Sequence, residues 1–321
     1  MVTGGAGFIG SHLCEALLAK DFVVRCYDDL SHGSIANIAQ SLNDQRFSFY
    51  ENDVCDLGAL GAAMNGASLA VHLAARKIPR YGDALSTLRI NNDGTRNIFK
   101  LAEGHGCKVI LASTSDVYGK GKPPFKESDD LILGPSDIRR WSYAASKVFD
   151  EHLALSYHHE KNVPAVVLRF FGSYGPRNHP SWWGGPQAVF IEQALKNEEI
   201  TVHGDGTQTR SFTYIDDLIS GILLAAEKDK ALGQIINLGS DEEVRILDLA
   251  KLIYGLIQPD KIPPIKMIPY ESFGGGYEDV LRRIPDLDKA RKILGFQWHT
   301  KLRDGLIRTI EWHKNRLQRN I

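Results

Sequence analysis

Gly4-Gly5-Ala6-Gly7-Phe8-Ile9-Gly10, preceded by Met1-Val2-Thr3 and running into Ser11-His12-Leu13, is the stretch that decides the fold. Its glycines fall at positions 4, 7 and 10, one residue wider between the first two than in G-x-G-x-x-G. The physics of such a turn is unchanged by the extra residue. Gly4 permits the tight turn, Gly7 lets the backbone approach a pyrophosphate, and Gly10 lets a helix pack close on a strand. A helix expected over residues 11–19 then offers free N–H groups to phosphate oxygens. A glycine-rich turn alone is often only a turn. Here Asp28 and Asp29 end the next apolar run, 18 and 19 residues after Gly10. A carboxylate at that point accepts hydrogen bonds from the adenosine ribose and repels a 2′-phosphate, so NAD is favoured over NADP. The competing reading of Asp28-Asp29 is an N-cap or turn.

Working outward, short apolar runs at 23–27, 47–51, 69–73, 109–113 and 165–170 read as strands, and 11–19, 91–103 and 143–159 as helices. Such alternation predicts an α/β fold of the Rossmann type, a doubly wound parallel sheet covered on both faces. Residues 1–172 are expected to form the NAD-binding domain. Gly and Pro cluster at 172–186, where residues 173–321 begin a smaller C-terminal substrate-binding domain, interleaved with the first. A strand near 234–239 is expected to return to the sheet, and 301–316 to be helical. Only three residues precede the glycine turn, whereas a typical strand has about five. Either the first strand is unusually short or the chain begins upstream.

Composition narrows the function. The 321 residues are 43% hydrophobic, enough for a large core, and carry a formal net charge of -1. No whole-protein field then favours nucleic acid or a membrane surface. No apolar run of about 18 residues is present to span a bilayer, and no signal peptide precedes the first motif. The four cysteines, Cys14, Cys26, Cys55 and Cys107, have no metal-like spacing. A cytoplasmic protein with reduced thiols and no metal is the simplest expectation.

Tyr143 and Lys147 form Tyr-x-x-x-Lys on a predicted helix, so they share a face. A nearby ammonium lowers a phenol's pKa, and a tyrosinate is able to take a proton from a sugar hydroxyl while hydride leaves. The pair is common on ordinary helices. Its weight comes from order: glycine turn, ribose carboxylate, then Ser113-Thr114-Ser115-Asp116-Val117-Tyr118-Gly119 after a strand, then Tyr143 and Lys147.

With these blocks in hand, the chain resembles the extended short-chain dehydrogenase/reductase family of nucleotide-sugar epimerases, dehydratases and decarboxylases. His72-Leu73-Ala74-Ala75, Asn91 with Gly94-Thr95, Arg169 through Gly175-Pro176-Arg177, Gly204-Asp205-Gly206 with Arg210, and Asn237-Leu238-Gly239 carry the likeness further. The resemblance implies that Tyr143 is the base, Lys147 its partner, and Thr114 a hydroxyl sharing the sugar O4 proton. Ser115 and Asp116 complete the catalytic set. It implies cofactor contacts from Gly4, Gly7, Phe8, Ile9, Gly10, Asp28, Asp29, Leu73, Ala74, Ala75, Asn91 and Ser113, with Asp53 and Val54 beside the adenine. Substrate contacts are implied for Lys77, Arg140, Gly172, Arg177, Arg210 and Arg283, the last two on the nucleotide diphosphate. For either arginine the bland alternative is a surface ion pair. Relatives often have Asn where this chain has Gly172.

Oxidation at C4 leads to several outcomes in this family. Asp116 stands where dehydratases and decarboxylases have Glu, although it could instead cap a turn. Arg139-Arg140-Trp141-Ser142-Tyr143 is similar to UDP-glucuronate decarboxylases in placing Arg three residues before the tyrosine. Phe273 to Val280 with Arg283 is similar to the same branch. The basic loop 76–80 suits either an anionic sugar or solvent. The reading is an NAD-dependent enzyme making a 4-keto nucleotide-sugar, decarboxylase-like or dehydratase-like. A UDP-sugar 4-epimerase is the rival, and a non-catalytic NAD-binding module the contrasting class. By the same resemblance, helices 91–103 and 143–159 would pair across a two-fold axis in a homodimer.

Overall fold

The computed structural model describes residues 1–77, 83–273 and 278–318. The Rossmann half supplies β1 (Val2–Thr3), α1 (Phe8–Leu18), β2 (Val24–Asp28), α2 (Ile35–Ile38), β3 (Phe47–Glu51), α3 (Leu57–Met64), β4 (Leu69–His72), α4 (Ala84–His105), β5 (Lys108–Thr114), α5 (Trp141–Lys161) and β6 (Ala165–Phe170). After it come β7 (Ser173–Tyr174), α6 (Pro186–Leu195), β8 (Ile200–His203), β9 (Thr209–Ser211), β10 (Thr213–Tyr214), α7 (Ile215–Glu227) and β11 (Ile235–Leu238). The chain ends with β12 (Glu243–Arg245), α8 (Ile246–Ile257), β13 (Ile265–Ile268), β14 (Arg282–Arg283), α9 (Asp288–Leu294) and α10 (Leu302–Gln318).

Seven strands form one sheet in the order β11-β6-β5-β4-β1-β2-β3, and every pairing in it is parallel. Central strands of such a sheet are buried on both faces. Val109, Ile110 and Leu111 of β5 and Ala165 to Leu168 of β6 are accordingly sealed from solvent. The order reverses between β1 and β4, which leaves a crevice at the carboxyl ends of the strands, the usual ligand position. β1 has only two residues, yet it pairs with β2 on one side and β4 on the other. The strand expected at 234–239 is β11, registered Ile235 to Val167 and Leu238 to Phe170.

The observed elements depart from the predicted ones mainly at their ends. α1 starts at Phe8, immediately after Gly7, because the glycine turn leads directly into it. α4 begins seven residues before Asn91, where the Asp83 side chain accepts the Ser86 N–H and caps it. At its other end Gly106 takes a left-handed conformation, φ 62°. Short strands β7 to β10 and helices α6 and α7, not predicted from the sequence, build the wall opposite the sheet. One buried cluster joins Leu13 and Ile110 to Phe190, Leu249 and Leu306, so the two parts share a core.

A buried polar web ties α5 to the sheet. Arg169 on β6 donates from Nε and Nη2 to Glu151 on α5 at 2.9 and 2.7 Å. The Ser113 hydroxyl on β5 donates to the same carboxylate at 2.5 Å. The Arg169 guanidinium lies 4.6 Å over the Tyr118 ring, whose hydroxyl donates to Asn237 on β11 at 2.7 Å. Removing one partner of such a buried pair typically costs about 3–5 kcal/mol. The web therefore fixes where α5 stands relative to the strand ends.

Candidate active site

A cleft of about 1130 Å³ opens at the carboxyl ends of β1, β2, β4 and β5. Of the residues expected at the catalytic, cofactor and substrate positions, all but Lys147 and Asn91 line it. Of the basic loop, Ile78, Pro79 and Arg80 lie outside the described residues, as do residues 274–277 of the Phe273–Val280 block.

The glycine turn forms the floor. Gly4 takes φ +67°, and a Cβ there would lie 2.9 Å from the Ala74 nitrogen. A Cβ on Gly10 would fall 2.1 Å from the Gly4 carbonyl oxygen. α1 therefore packs against the turn as only glycine allows, and no side chain caps its N-terminus. The first N–H groups of the helix are left for an anion. Asp28 accepts the Ala6 and Leu30 N–H groups at 3.0 and 2.9 Å, and Asp29 accepts from Ser31. Both line the cleft beside the turn while making these turn hydrogen bonds. Asp53, Val54, Leu73, Ala74, Ala75, Phe8 and Ile9 complete this half. These features fit an NAD: bare backbone that a pyrophosphate could approach, a helix N-terminus, and carboxylates in the cleft beside them that could accept from ribose hydroxyls. At the cleft mouth the His32 and Trp183 rings meet with centroids 4.0 Å apart and planes tilted by 36°, joining the loop after β2 to the loop before α6.

The residues expected to be catalytic lie where β5 ends. Ser113, Thr114, Ser115 and Asp116 meet the start of α5, which carries Tyr143. Burial pushes the Tyr143 phenol above its ordinary range and the Asp116 charge adds to this, while a hydrogen bond with Thr114 works the other way. Lys147, one turn further along α5, is buried. Its ammonium is buried behind the cleft wall and sits 3.0 Å from the Asp150 carboxylate. Asn91, expected at the cofactor, is buried and already engaged. Its Oδ1 accepts the Arg76 N–H at 2.8 Å, and its Nδ2 donates to the Arg76 carbonyl and to Ser146. Ser146 in turn donates to the Tyr143 carbonyl at 2.8 Å. Asn91 thus positions the loop after β4 and the first turns of α5.

The far half is cationic. Arg140, Arg210 and Arg283 converge on two carboxylates. Asp116 pairs with Arg283 at 2.8 Å and Arg140 at 3.3 Å. Asp279 pairs with Arg210 at 2.9 Å and Arg140 at 3.4 Å. Burial works against the charge of Asp279, but Arg210, Arg140 and Arg283 outweigh it and hold the carboxyl below its usual range. Burial and the neighbouring guanidiniums push Arg283 down to about 10, against the pull of Asp116. Three cations on two anions leave room for further negative charge, as a diphosphate or a carboxylate supplies. Arg177 lines the cleft but is turned to Glu15, with contacts of 2.7 and 2.8 Å. Lys77 lies exposed at the rim.

Gly172 also receives an explanation. A Cβ there would lie 2.9 Å from the Ser211 carbonyl oxygen and 3.0 Å from the Phe212 ring. The ring takes the space that an Asn side chain would need. Asp279, Asp150 and the Trp182–His203 stack at 3.9 Å were not picked out from the sequence. Asp279 lies within the Phe273–Val280 block that the sequence marked only as a whole, and Asp150 left a signal in its position seven residues after Tyr143 on the same helical stripe. Among the described residues no three His, Cys, Asp or Glu side chains converge as a metal site requires, and no helix is long and apolar enough to cross a membrane.

The fold and cleft define a dinucleotide-dependent enzyme with room for a second, anionic ligand. The chain belongs to the NAD dependent epimerase/dehydratase family, whose profile matches residues 1–239. It is 35% identical over 317 residues to a UDP-N-acetyl-alpha-D-glucosaminuronate decarboxylase of Bacillus cytotoxicus, covering 98% of this chain and 97% of that one. It is 34% identical over 310 residues to UDP-glucuronic acid decarboxylase 6 of Arabidopsis thaliana, covering 95% and 86%. The structure of UDP-glucuronic acid 4-epimerase from Bacillus cereus, in complex with UDP-glucuronic acid and NAD, superposes with a TM-score of 0.86, 31% identity and 98% coverage of each chain. This protein is an NAD-dependent enzyme of that family. Because Asp28 and Asp29 line the cleft beside the glycine turn, where a carboxylate would repel a 2′-phosphate, NAD⁺ should bind far more tightly than NADP⁺. Comparable calorimetric affinities would contradict that placement.

Proposed function

We propose that this enzyme oxidises C4 of a UDP-hexuronate and removes its C6 carboxylate as CO₂. The observation that carries the reading is Arg140. Its guanidinium lies in the cleft between Asp116 and Asp279, on the turn that leads into Tyr143. A planar fork there matches a carboxylate. The relatives named as hexuronate decarboxylases support it.

Tyr143 accepts the O4 proton, and the Thr114 hydroxyl holds O4 against it. Bound NAD⁺ supplies the hydride acceptor at C4 and returns the hydride at the end. The 4-ketone stands β to the carboxylate held by Arg140. The C5–C6 bond breaks, CO₂ leaves, and the bonding pair passes into the C4–C5 enolate. Asp116 takes up a proton from solvent and passes it to C5, so one proton is consumed for each CO₂ released. Tyr143 returns its proton to O4 as the alcohol re-forms. Arg210 and Arg283 bind the diphosphate. In this reading residues 1–172, with β11, hold the NAD and residues 173–321 hold most of the nucleotide-sugar.

The test is incubation with NAD⁺ and UDP-glucuronate or UDP-N-acetylglucosaminuronate, read by mass spectrometry. Loss of CO₂ is the expected result. A product of unchanged mass, inverted at C4, would make the enzyme a 4-epimerase, the second reading favoured by the Bacillus cereus neighbour. Loss of water would make it a dehydratase.

We also propose that the enzyme works in the cytoplasm as a homodimer through α4 and α5. The two helices pack side by side, and Phe149 on α5 stays 39% exposed. An isologous four-helix bundle would cover it. Light scattering at micromolar concentration should give twice the 35.7 kDa chain mass, and a monomeric mass would contradict the bundle.

A further inference from the structure

Two loops from opposite halves of the chain meet at the cleft mouth. The first follows β2 and carries His32. It is pinned to the glycine turn, where the Ser34 N–H and the Asn37 side chain donate to the Ala6 carbonyl at 3.0 and 2.9 Å. The second loop runs from Pro176 to Gly185 and carries Trp183. It is pinned to α1: the His12 ring donates to the Pro176 carbonyl at 3.0 Å, and Arg177 pairs with Glu15. Bonds inside the loop hold its shape. Asn178 donates to the Gly184 carbonyl at 2.8 Å, and Ser181 and His179 are 2.8 Å apart. Trp182 stacks on His203, on the substrate side. The next residue, Trp183, instead reaches the cofactor side and meets His32. Both loops are thus rooted at the start of α1, whose uncapped N-terminus belongs to the cleft floor. His32 and Trp183 line the same cleft. Neither ring belongs to the core, since His32 is exposed and Trp183 half-buried. The contact can therefore part without disturbing the fold.

We propose that His32 and Trp183 form a clasp, which closes the cleft over the pyrophosphate of a bound NAD and must part for the dinucleotide to enter or leave. The rate of passage in either direction then scales with the fraction of molecules whose clasp is open. One aromatic pair shifts such an equilibrium towards the closed form by about 2–10-fold. Arg177, expected to bind substrate, serves here as one foot of the arch. An enclosed cofactor suits a reaction that takes a hydride from the sugar and gives it back, because NADH that left in between would strand the ketone. The inference rests on NAD binding at the glycine turn, and not on whether CO₂ leaves.

The experiment follows NADH by its own nicotinamide fluorescence in stopped flow, without sugar. Nucleotide-free protein is mixed with NADH to give the association rate, and NADH-loaded protein with excess NAD⁺ to give the dissociation rate. Trp183→Ala and His32→Ala should each raise both rates by about 2–10-fold, so that their ratio changes less than either. The double variant should be no faster than the faster single one, because either change alone opens the clasp. Unchanged rates in the folded single variants would overturn the proposal. Faster dissociation with unaltered association would overturn it too, because the rings would then only touch the cofactor and not bar its path. A double variant faster by the product of the two single effects would make them separate barriers and reject the clasp. If Trp183→Ala does not fold, His32→Ala, at an exposed position, decides the matter alone. Failure of the unaltered protein to bind NADH would instead sink the cofactor site itself.

Discussion

Tyr143→Phe should fold, bind NAD⁺ as before, and turn over its nucleotide-sugar about 10²–10⁴-fold more slowly. The substitution removes one hydroxyl from a side chain that lines the cleft rather than the core. The backbone of that turn is held independently, by Ser146 on the Tyr143 carbonyl and by Asn91 on Ser146. Cofactor contacts come mostly from other elements, so calorimetric NAD⁺ affinity should survive. What is lost is the acceptor for the O4 proton. Thr114 cannot replace it, because a threonine hydroxyl is far less acidic than a phenol and its Oγ already accepts the Asp116 N–H at 3.2 Å. Single-turnover NADH absorbance gives the clearest measurement. Formation of NADH at the unaltered rate would place the proton acceptor elsewhere.

Asp116→Asn should have an effect of similar size on a later step. If Asp116 moves the C5 proton, initial reduction of NAD⁺ should persist while product release falls about 10²–10⁴-fold. NADH would then accumulate during turnover. The same change removes a negative charge near Tyr143. Asp116 disfavours the tyrosinate, so its loss lets the phenol ionise at lower pH. The acid limb of NAD⁺ reduction should therefore shift downward. The change also removes a carboxylate partner of Arg283 and Arg140, so KM for a trianionic UDP-hexuronate should not rise. A plain 4-epimerase has no C5 proton to move. Full activity in Asp116→Asn, with product and substrate of equal mass, would reject the decarboxylase reading.

Much of this was legible in the sequence because its physics is local. The glycine turn, the carboxylates after β2 and the Tyr143–Lys147 spacing each lie within one strand–turn–helix unit, where period and composition carry the signal. β11 was legible too, since a short apolar run closed by Asn237-Leu238-Gly239 reads as a strand wherever it falls. The start of α4 was missed because residues 84–90 look no more helical than a loop until Asp83 is seen to cap them. The ends of long-range contacts were not legible at all. Nothing in the spacing of Asp279 to Arg210 or Arg140 announces that three guanidiniums share two carboxylates. Nor does the sequence show that Asp150 pairs with the buried Lys147 ammonium, because an i, i+3 pair on a helix is usually a surface contact. Gly172 looked like a missing ligand, and the Phe212 ring that displaces it comes from forty residues further on.

The position of β11 also has a consequence for how the protein is made. The sheet strand beside it, β6, is complete at Phe170, but its outer edge stays open until Ile235–Leu238 has been synthesised. Ribosomes add about 5–20 residues per second, so the growing chain carries a bare, apolar parallel edge for several seconds. Ala165 to Leu168, sealed in the finished protein, are then an available template for another chain. The long connection that builds the substrate side is thus also a delay in folding. Crowded polysomes and any slowing of translation between residues 170 and 235 should raise the yield of aggregates without altering the stability of the finished enzyme.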